Sequence, residues 1–126
     1  MGKRVLIAED EGNIAESLRF LLTREGHLVS LARDGSEALI MVQRTRPDAL
    51  VLDLMLPKRS GFDVLKELRA MPETRTLPVL MLTAKGQVND RQAAEYLGVD
   101  AFLTKPFAND EVIATVARLL GRTGNG

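Results

Sequence analysis

Residues 49–53 of this 126-residue chain read Ala49-Leu50-Val51-Leu52-Asp53, four consecutive apolar residues followed by a carboxylate. An apolar run this short, without alternation, is typical of a strand that is buried on both faces in a parallel sheet. Pro57 and Gly61 follow and are typical of a loop. This stretch therefore predicts a central parallel strand with an aspartate at its carboxyl end.

Comparable segments on either side predict the rest of the sheet. Three more buried strands are expected at Val5–Ala8, Val79–Leu82 and Ala101–Leu103. One edge strand, in which apolar and polar residues alternate, is expected at Leu28–Arg33. Segments with helical spacing of apolar residues separate the strands, as at Ile14, Leu18 and Leu22. Five strands that alternate with five helices predict a three-layer, doubly wound α/β fold with a parallel sheet.

Composition limits the classes of protein that the chain can represent. Its length fits one domain, predicted over residues 1–121, with residues 122–126 as a flexible tail. Seventeen basic and seventeen acidic residues give no net charge, so direct binding to nucleic acid or to an anionic membrane is not expected. The chain has no cysteine, and its apolar runs are too short for a membrane span. We expect a soluble protein of the cytoplasm.

Polar side chains follow four of the predicted strands. They are Glu9 and Asp10 after the first strand, Asp53 after the third, Thr83 after the fourth and Lys105 after the fifth. The carboxyl ends of parallel strands meet at one edge of the sheet, where ligands of open α/β sheets bind. The sequence therefore predicts a single site with three carboxylates, one hydroxyl and one ammonium.

These residue types favour phosphoryl chemistry. Clustered carboxylates repel one another, and Mg²⁺, which prefers oxygen ligands, would relieve that repulsion. Thr83 can donate to a phosphoryl oxygen and Lys105 supplies a positive charge. Asp53 is the candidate nucleophile, since carboxylates are known to form aspartyl-phosphates. Phosphoryl transfer needs mainly positioning and charge neutralisation, which this edge can supply.

Each of these residues taken alone also has an ordinary structural interpretation. Glu9 and Asp10 could lie in a solvated turn, Asp53 could cap a turn, and Thr83 and Lys105 could have no special role. Their joint placement at four strand ends is the observation that favours a functional site.

At these residues the chain resembles the receiver domains of two-component response regulators, the family of the chemotaxis response regulator. The resemblance runs from Lys3 to about Leu120 and implies a flavodoxin-like fold with strand order 2-1-3-4-5. Five motifs carry it in order: Val5-Leu6-Ile7-Ala8-Glu9-Asp10-Glu11, Leu52-Asp53-Leu54-Met55-Leu56-Pro57, Ser60-Gly61, Leu82-Thr83-Ala84 and Lys105-Pro106-Phe107.

The resemblance implies a phosphoacceptor switch. Asp53 would receive a phosphoryl group from a sensor histidine kinase or phosphotransfer protein, and Thr83 and Lys105 would bind its oxygens. Mg²⁺ would be held by Asp10, Asp53 and the backbone carbonyl of Met55, with Glu9 acting largely through water. The family's Lys-Pro bond, here Lys105-Pro106, is typically cis.

The signal would leave the site through a buried ring. Phe102 stands at the family's switch aromatic and would turn inward as Thr83 moves toward the phosphoryl group, altering the surface of the fourth helix, fifth strand and fifth helix. Its alternative interpretation is a plain core residue. The resemblance implies a downstream effector protein or a fused output domain as the recipient of this change.

Departures from the family pattern predict individual properties of this chain. Glu9 replaces the commoner Asp. Met55 and Lys85 stand at positions that tune phosphoryl hydrolysis. Neither side chain can orient water as a carboxylate or amide would, which predicts slow self-dephosphorylation.

The segment at residues 81–91 is similar to the receivers of winged-helix transcription factors. This similarity suggests a homodimer through the fourth helix, fifth strand and fifth helix, with Arg91 and Glu111 as one ion pair.

Competing functions are disfavoured by particular residues. A magnesium-dependent phosphatase or phosphotransferase of the haloacid dehalogenase type also uses an aspartyl nucleophile, but needs a second Asp where this chain has Met55. No glycine-rich nucleotide-binding pattern occurs. A DNA-binding effector domain would need further residues, so the chain is expected to be either a stand-alone receiver or the receiver portion of a longer regulator.

Overall fold

The computed structural model describes residues 3–84 and 88–121, with the side chains of all but residues 88–90. The expectations for Lys85 and for the tail at residues 122–126 lie outside these residues. Five strands alternate with five helices: β1 (Arg4–Ala8), α1 (Gly12–Arg24), β2 (Leu28–Ala32), α2 (Gly35–Thr45), β3 (Ala49–Asp53), α3 (Gly61–Ala70), β4 (Val79–Ala84), α4 (Val88–Tyr96), β5 (Ala101–Lys105) and α5 (Asn109–Gly121).

The sheet confirms the predicted architecture. All strand pairs are parallel and the order is β2-β1-β3-β4-β5. Each parallel crossover requires a helix, and successive side chains of a strand point to opposite faces of the sheet, which divides the core into two layers. One layer lies between the sheet and helices α2 and α3, and includes Leu6, Leu52 and Leu65. The other lies on the side of α1 and α5, and includes Val51 and Val116.

Two side chains and one glycine near the helix ends explain where three helices begin or stop. The Asp34 carboxylate accepts a hydrogen bond from the backbone N–H of Glu37, as expected of a helix cap, and the Ser60 hydroxyl accepts one from Asp63. Gly26, predicted to stop the first helix, follows the end of α1 with a φ of 93°. Within residues 3–84 and 88–121, no helix is both long and apolar enough to cross a membrane.

The strand ends differ from the predicted ones in a way that matters for the site. Strand β3 includes Asp53, β4 continues through Thr83 to Ala84, and β5 continues to Lys105. The ladder itself continues, because Asp53 stands opposite Leu82 and Ala84 opposite Lys105. The apolar runs end earlier than the strands because backbone hydrogen bonding, and not side-chain polarity, determines where a strand stops. The three polar residues are therefore held by the sheet.

Candidate functional site

Three carboxylates meet where β1 and β3 end side by side. Strand pairing sets Ala8 opposite Leu52, so that Glu9 and Asp10 leave the sheet next to Asp53. One carboxylate oxygen from each of these acids lies within 4.8 Å of the others. Glu9 and Asp53 are buried, whereas Asp10 is exposed. The structure thus brings together the three acids predicted from the sequence.

Lys105 extends into this acidic cluster. Its Nζ lies 2.9 Å from Oε1 of Glu9 and 3.3 Å from Oδ1 of Asp53. The carboxylate of Glu11 lies further away, at 4.0 Å. The Lys105 side chain is only 20% exposed, so these charges interact with little screening by solvent. The Lys105-Pro106 peptide bond is cis, as the resemblance implies.

The electrostatics of the cluster follow from burial and pairing. Burial raises the pKa of Glu9, and the nearby charge of Asp53 raises it further, against the hydrogen bonds from Lys105 and from the backbone of Glu11. Burial lowers the pKa of Lys105, but the hydrogen bond to Glu9 and the charges of Asp53 and Glu9 outweigh it, so the pKa lies above its ordinary value. Lys105 is therefore an ammonium at neutral pH.

Thr83 lies on the strand next to Asp53. Asp53 pairs with Leu82, which places Thr83 one residue beyond the partner of Asp53 in the register. Thr83 is buried and stands opposite Thr104 of β5. Its place at the end of β4 agrees with the position predicted for a group that would bind a phosphoryl oxygen.

The backbone of Met55 lies near the acids, and its side chain is exposed to solvent. The Met55 N–H donates a hydrogen bond to Oδ1 of Asp53 over 3.4 Å, while 71% of the residue is exposed. The role of the Met55 carbonyl as a metal ligand stays a prediction.

Phe102, predicted as the switch aromatic, is buried. It stands opposite Met81 in the register and belongs to the core layer on the α2 and α3 side. The guanidinium of Arg91 lies 5.8 Å from the centre of the ring, within range of a cation–π interaction. Arg91 also pairs with Glu95 of the same helix at 3.3 Å. The ring occupies the inward position, which fits both the switch and the core interpretation.

Two features of the site were not predicted. Glu11 donates its backbone N–H to Oε2 of Glu9 over 3.1 Å, and Glu9 accepts a hydrogen bond from the Lys105 ammonium over 2.9 Å. The first feature had no side-chain signal, because its donor is a backbone N–H that any residue but proline would supply at position 11. The second had none, because a contact between side chains from β1 and β5 depends on how far Lys105 reaches.

The donor set fits Mg²⁺. This ion prefers oxygen ligands and is usually bound through one or two carboxylates together with waters. Asp10 and Asp53 supply such oxygens at a position open to solvent on the Asp10 side. The residues present are thus compatible with a bound magnesium ion.

The fold and the site together define a class of protein. A doubly wound parallel sheet carries acidic residues and a lysine at the carboxyl ends of its strands, with the acids between β1 and β3 where the strand order reverses. The family model described as the response regulator receiver domain matches residues 5–117. The chain therefore belongs to the receiver domains of two-component response regulators.

Similar proteins come from several bacteria. Response regulator MprA of Mycobacterium leprae is 47% identical over 120 residues, which are 95% of this chain and 52% of that protein. The signal receiver domain of a histidine kinase from Syntrophus aciditrophicus superimposes with a TM-score of 0.92 at 31% identity, covering 99% of this chain and 95% of that one. The chain spans about half the length of the curated relatives it matches.

One structural neighbour is described with a metal. The receiver domain of sensor histidine kinase PA1611 from Pseudomonas aeruginosa, with a magnesium ion coordinated in its active-site cleft, has a TM-score of 0.88 and 30% identity. The superposition covers 96% of this chain and 99% of that one.

Proposed function

We propose that this receiver domain is a phosphoacceptor switch in which Asp53 takes a phosphoryl group from the phosphohistidine of a sensor kinase or phosphotransfer protein in the cytoplasm. The observation that carries the proposal is the position of Asp53, which is buried at the end of a central strand with the Lys105 ammonium 3.3 Å away. A carboxylate held this rigidly beside a positive charge suits in-line attack on a phosphoryl group.

The phosphoryl group passes from the imidazole of the donor to the carboxylate of Asp53. A carboxylate oxygen of Asp53 forms a bond to phosphorus, the bond from phosphorus to the donor's imidazole nitrogen breaks, and the electron pair of that bond stays on the imidazole. Lys105 and Thr83 bind the phosphoryl oxygens and stabilise the charge that develops on them. Asp10, Asp53 and the Met55 carbonyl would hold Mg²⁺, which supplies further charge neutralisation when bound.

Receiver domains of this family are not classical enzymes, and this chain acts on its own side chain. Hydrolysis of the aspartyl-phosphate is proposed to be slow, because the thioether of Met55 cannot orient an attacking water. The domain is proposed to span residues 1–121.

The output surface is proposed to be the face of α4, β5 and α5. Phosphorylation would draw Thr83 toward the phosphoryl group and favour the inward position of Phe102 over an outward one, which would change the face that a downstream effector or a fused output domain contacts. The same face would support a homodimer through an Arg91–Glu111 pair between two copies. Arg91 pairs with Glu95 in the single chain, so dimerisation would have to compete with that exposed ion pair.

Intact-mass spectrometry with acetyl phosphate and Mg²⁺ tests the phosphoacceptor. The native chain should gain one phosphoryl group, and Asp53→Asn or removal of Mg²⁺ by a chelator should abolish the gain. Phosphorylation of a folded Asp53→Asn variant, or none in the folded native chain, would contradict the proposal.

Sedimentation of the phosphorylated and the unphosphorylated chain at equal concentration tests the dimer. An unchanged mass would count against it.

A further inference from the structure

We propose that a cavity at the amino ends of β3 and β4 binds a free α-amino acid with an apolar side chain. The cavity lies between the end of α2 and the segment that joins α3 to β4. An arginine and a glutamate, Arg46 and Glu73, line it together with apolar residues. This edge of the sheet is opposite the one that carries Asp53, so the proposed site is separate from the phosphoacceptor.

The cavity has an apolar lining and a small volume. It encloses about 320 Å³, and among its lining residues Val42, Pro47 and Leu77 are buried and Met71 is half-buried. The Gln43 amide donates a hydrogen bond to Sδ of Met71 over 3.8 Å, which joins α2 to the end of α3. Ligand pockets range from about 300 to about 1,000 Å³, so this one suits a small molecule with an aliphatic part.

Two opposite charges line the same cavity without pairing. Arg46 follows α2, Glu73 follows α3, and both residues are exposed. Within the part of the chain that the structure describes, neither forms an ion pair with the other or with a third residue. An α-amino acid carries a carboxylate and an ammonium on one carbon atom. It can therefore satisfy both charges, whereas a simple anion or cation satisfies one.

The backbone of Arg46 gives an independent reason to assign a role to its side chain. Arg46 caps the end of α2 with φ 47° and ψ 64°, in the left-handed region that favours glycine. Its N–H donates to the Val42 carbonyl over 3.0 Å, a hydrogen bond that glycine would make equally well. Unfavourable backbone conformations of this kind occur preferentially at ligand sites. Binding by the guanidinium explains an arginine at this position.

The test compares three probes of similar shape. L-leucine carries both charges, 4-methylpentanoate lacks the ammonium, and 3-methylbutylamine lacks the carboxylate. Each is titrated into the native chain while the ¹³C-methyl signals of Met71 and Leu77 are recorded. We expect L-leucine to shift both signals with a dissociation constant of about 1 mM, as ligand efficiency allows for so small a molecule. Each analogue should bind about tenfold more weakly, through loss of one charged hydrogen bond.

Charge-neutral variants assign each ligand group to its partner. Arg46→Gln should bind L-leucine about tenfold more weakly and no better than 3-methylbutylamine. Glu73→Gln should show the same loss and no preference for L-leucine over 4-methylpentanoate. The matched control is Arg44→Gln, since Arg44 is also an exposed arginine near the end of α2 but lies outside the cavity lining. It should bind all three probes as the native chain does.

Arg46→Gly separates binding from stability. It should bind L-leucine as weakly as Arg46→Gln, yet unfold at a higher urea concentration than the native chain, because glycine adopts the left-handed conformation without strain. Circular dichroism checks that every variant is folded. A urea midpoint at or below the native one would overturn the argument from the Arg46 backbone.

Three results would overturn the proposed site. The first is the absence of a saturable methyl shift at about 50 mM L-leucine, far above the expected dissociation constant. The second is equal affinity for L-leucine and either analogue in the native chain, which would mean that one of the two charges is not recognised. The third is an equal loss of binding in Arg44→Gln and Arg46→Gln. The titrations need neither Mg²⁺ nor a phosphodonor, so their outcome is independent of the proposed phosphoacceptor function.

Discussion

The backbone of Gly61 lies against that of Asp53, so closely that a Cβ at position 61 would be 2.7 Å from the Asp53 carbonyl oxygen and 2.8 Å from Cα of Leu54. The N–H of Gly61 donates a hydrogen bond to the Leu54 carbonyl over 2.8 Å. The loop that leaves Asp53 thus returns to it at the first residue of α3. The path of this loop and the position of Asp53 therefore depend on the absence of a Cβ atom at residue 61.

Gly61→Ala should destabilise the fold by about 1–3 kcal/mol, because the added methyl group meets backbone atoms that cannot rotate away. The phosphorylation rate at saturating Mg²⁺ should fall as well. Urea denaturation and mass spectrometry measure the two effects. Gly12→Ala is the matched control, since Gly12 is also the first residue of a helix and its added Cβ would meet no atom within 4 Å. Equal effects of both variants would contradict this explanation.

Arg69 joins three segments at the opposite end of the sheet. Its guanidinium donates to the carbonyls of Thr74, Leu77 and Gly98 and to the carboxylate of Asp100. Lysine cannot reproduce this planar set of donors, so Arg69→Lys should lower the free energy of unfolding by about 2–3 kcal/mol. Urea denaturation measures the loss.

The control for Arg69 is an exposed arginine with a single carboxylate partner. Arg19 pairs only with Glu16 among the ion pairs of the described residues. Arg19→Lys should change stability by less than about 1 kcal/mol. A similarly small effect at Arg69 would mean that its hydrogen bonds contribute no more than a surface pair.

Asp34 makes stability sensitive to acid. The hydrogen bond from the backbone N–H of Glu37 lowers the pKa of Asp34 below its ordinary value, and Lys58 adds to the effect. The folded state therefore favours the ionised form. The stabilisation is complete above the pKa of an unfolded aspartate, about 3.9, and is lost as the pH falls through the lower folded value.

Asp34→Asn should reduce the loss of stability between about pH 6 and about pH 3 and change little at neutral pH, because asparagine also caps helices well. Denaturation midpoints at the two pH values measure this difference. Asp110→Asn, at an exposed acid in the first turn of α5, serves as the control. An unchanged acid sensitivity in Asp34→Asn would contradict the assignment.

Met55 should determine how long the phosphoryl group persists. An amide at this position can orient an attacking water, so Met55→Asn should shorten the half-life of the phosphorylated chain about tenfold, less than a fully positioned general base contributes. The side chain is exposed, so the substitution should not disturb the core. The half-life is followed by intact mass after removal of the phosphodonor. Met55→Leu should keep the native half-life, and an equal acceleration in both variants would rule out water orientation.

The sequence predicted the sheet well because its central strands β1, β3 and β4 are buried on both faces. Strand β5 was predicted as a buried strand but is a partly exposed edge strand, since no further strand follows it in the sheet. The run that ends at Asp53 has no alternation, and a run of this kind is typical of a parallel strand covered by helices. Strand ends were predicted less well, since Thr83 and Lys105 lie inside ladders that continue past the apolar residues. A polar side chain at a strand end leaves the backbone pairing intact, so composition alone could not show where the pairing stops.

The sequence by itself determined the order of the elements and the set of polar residues at one edge, because apolar periodicity and parallel crossovers restrict both. The strand order followed from the resemblance to receiver domains. Only the tertiary structure decided which acid holds Lys105. Strands β1 and β5 are separated by β3 and β4, so no register relates Glu9 to Lys105. Their contact depends on the reach of two long side chains across the sheet edge, which only the packed chain determines.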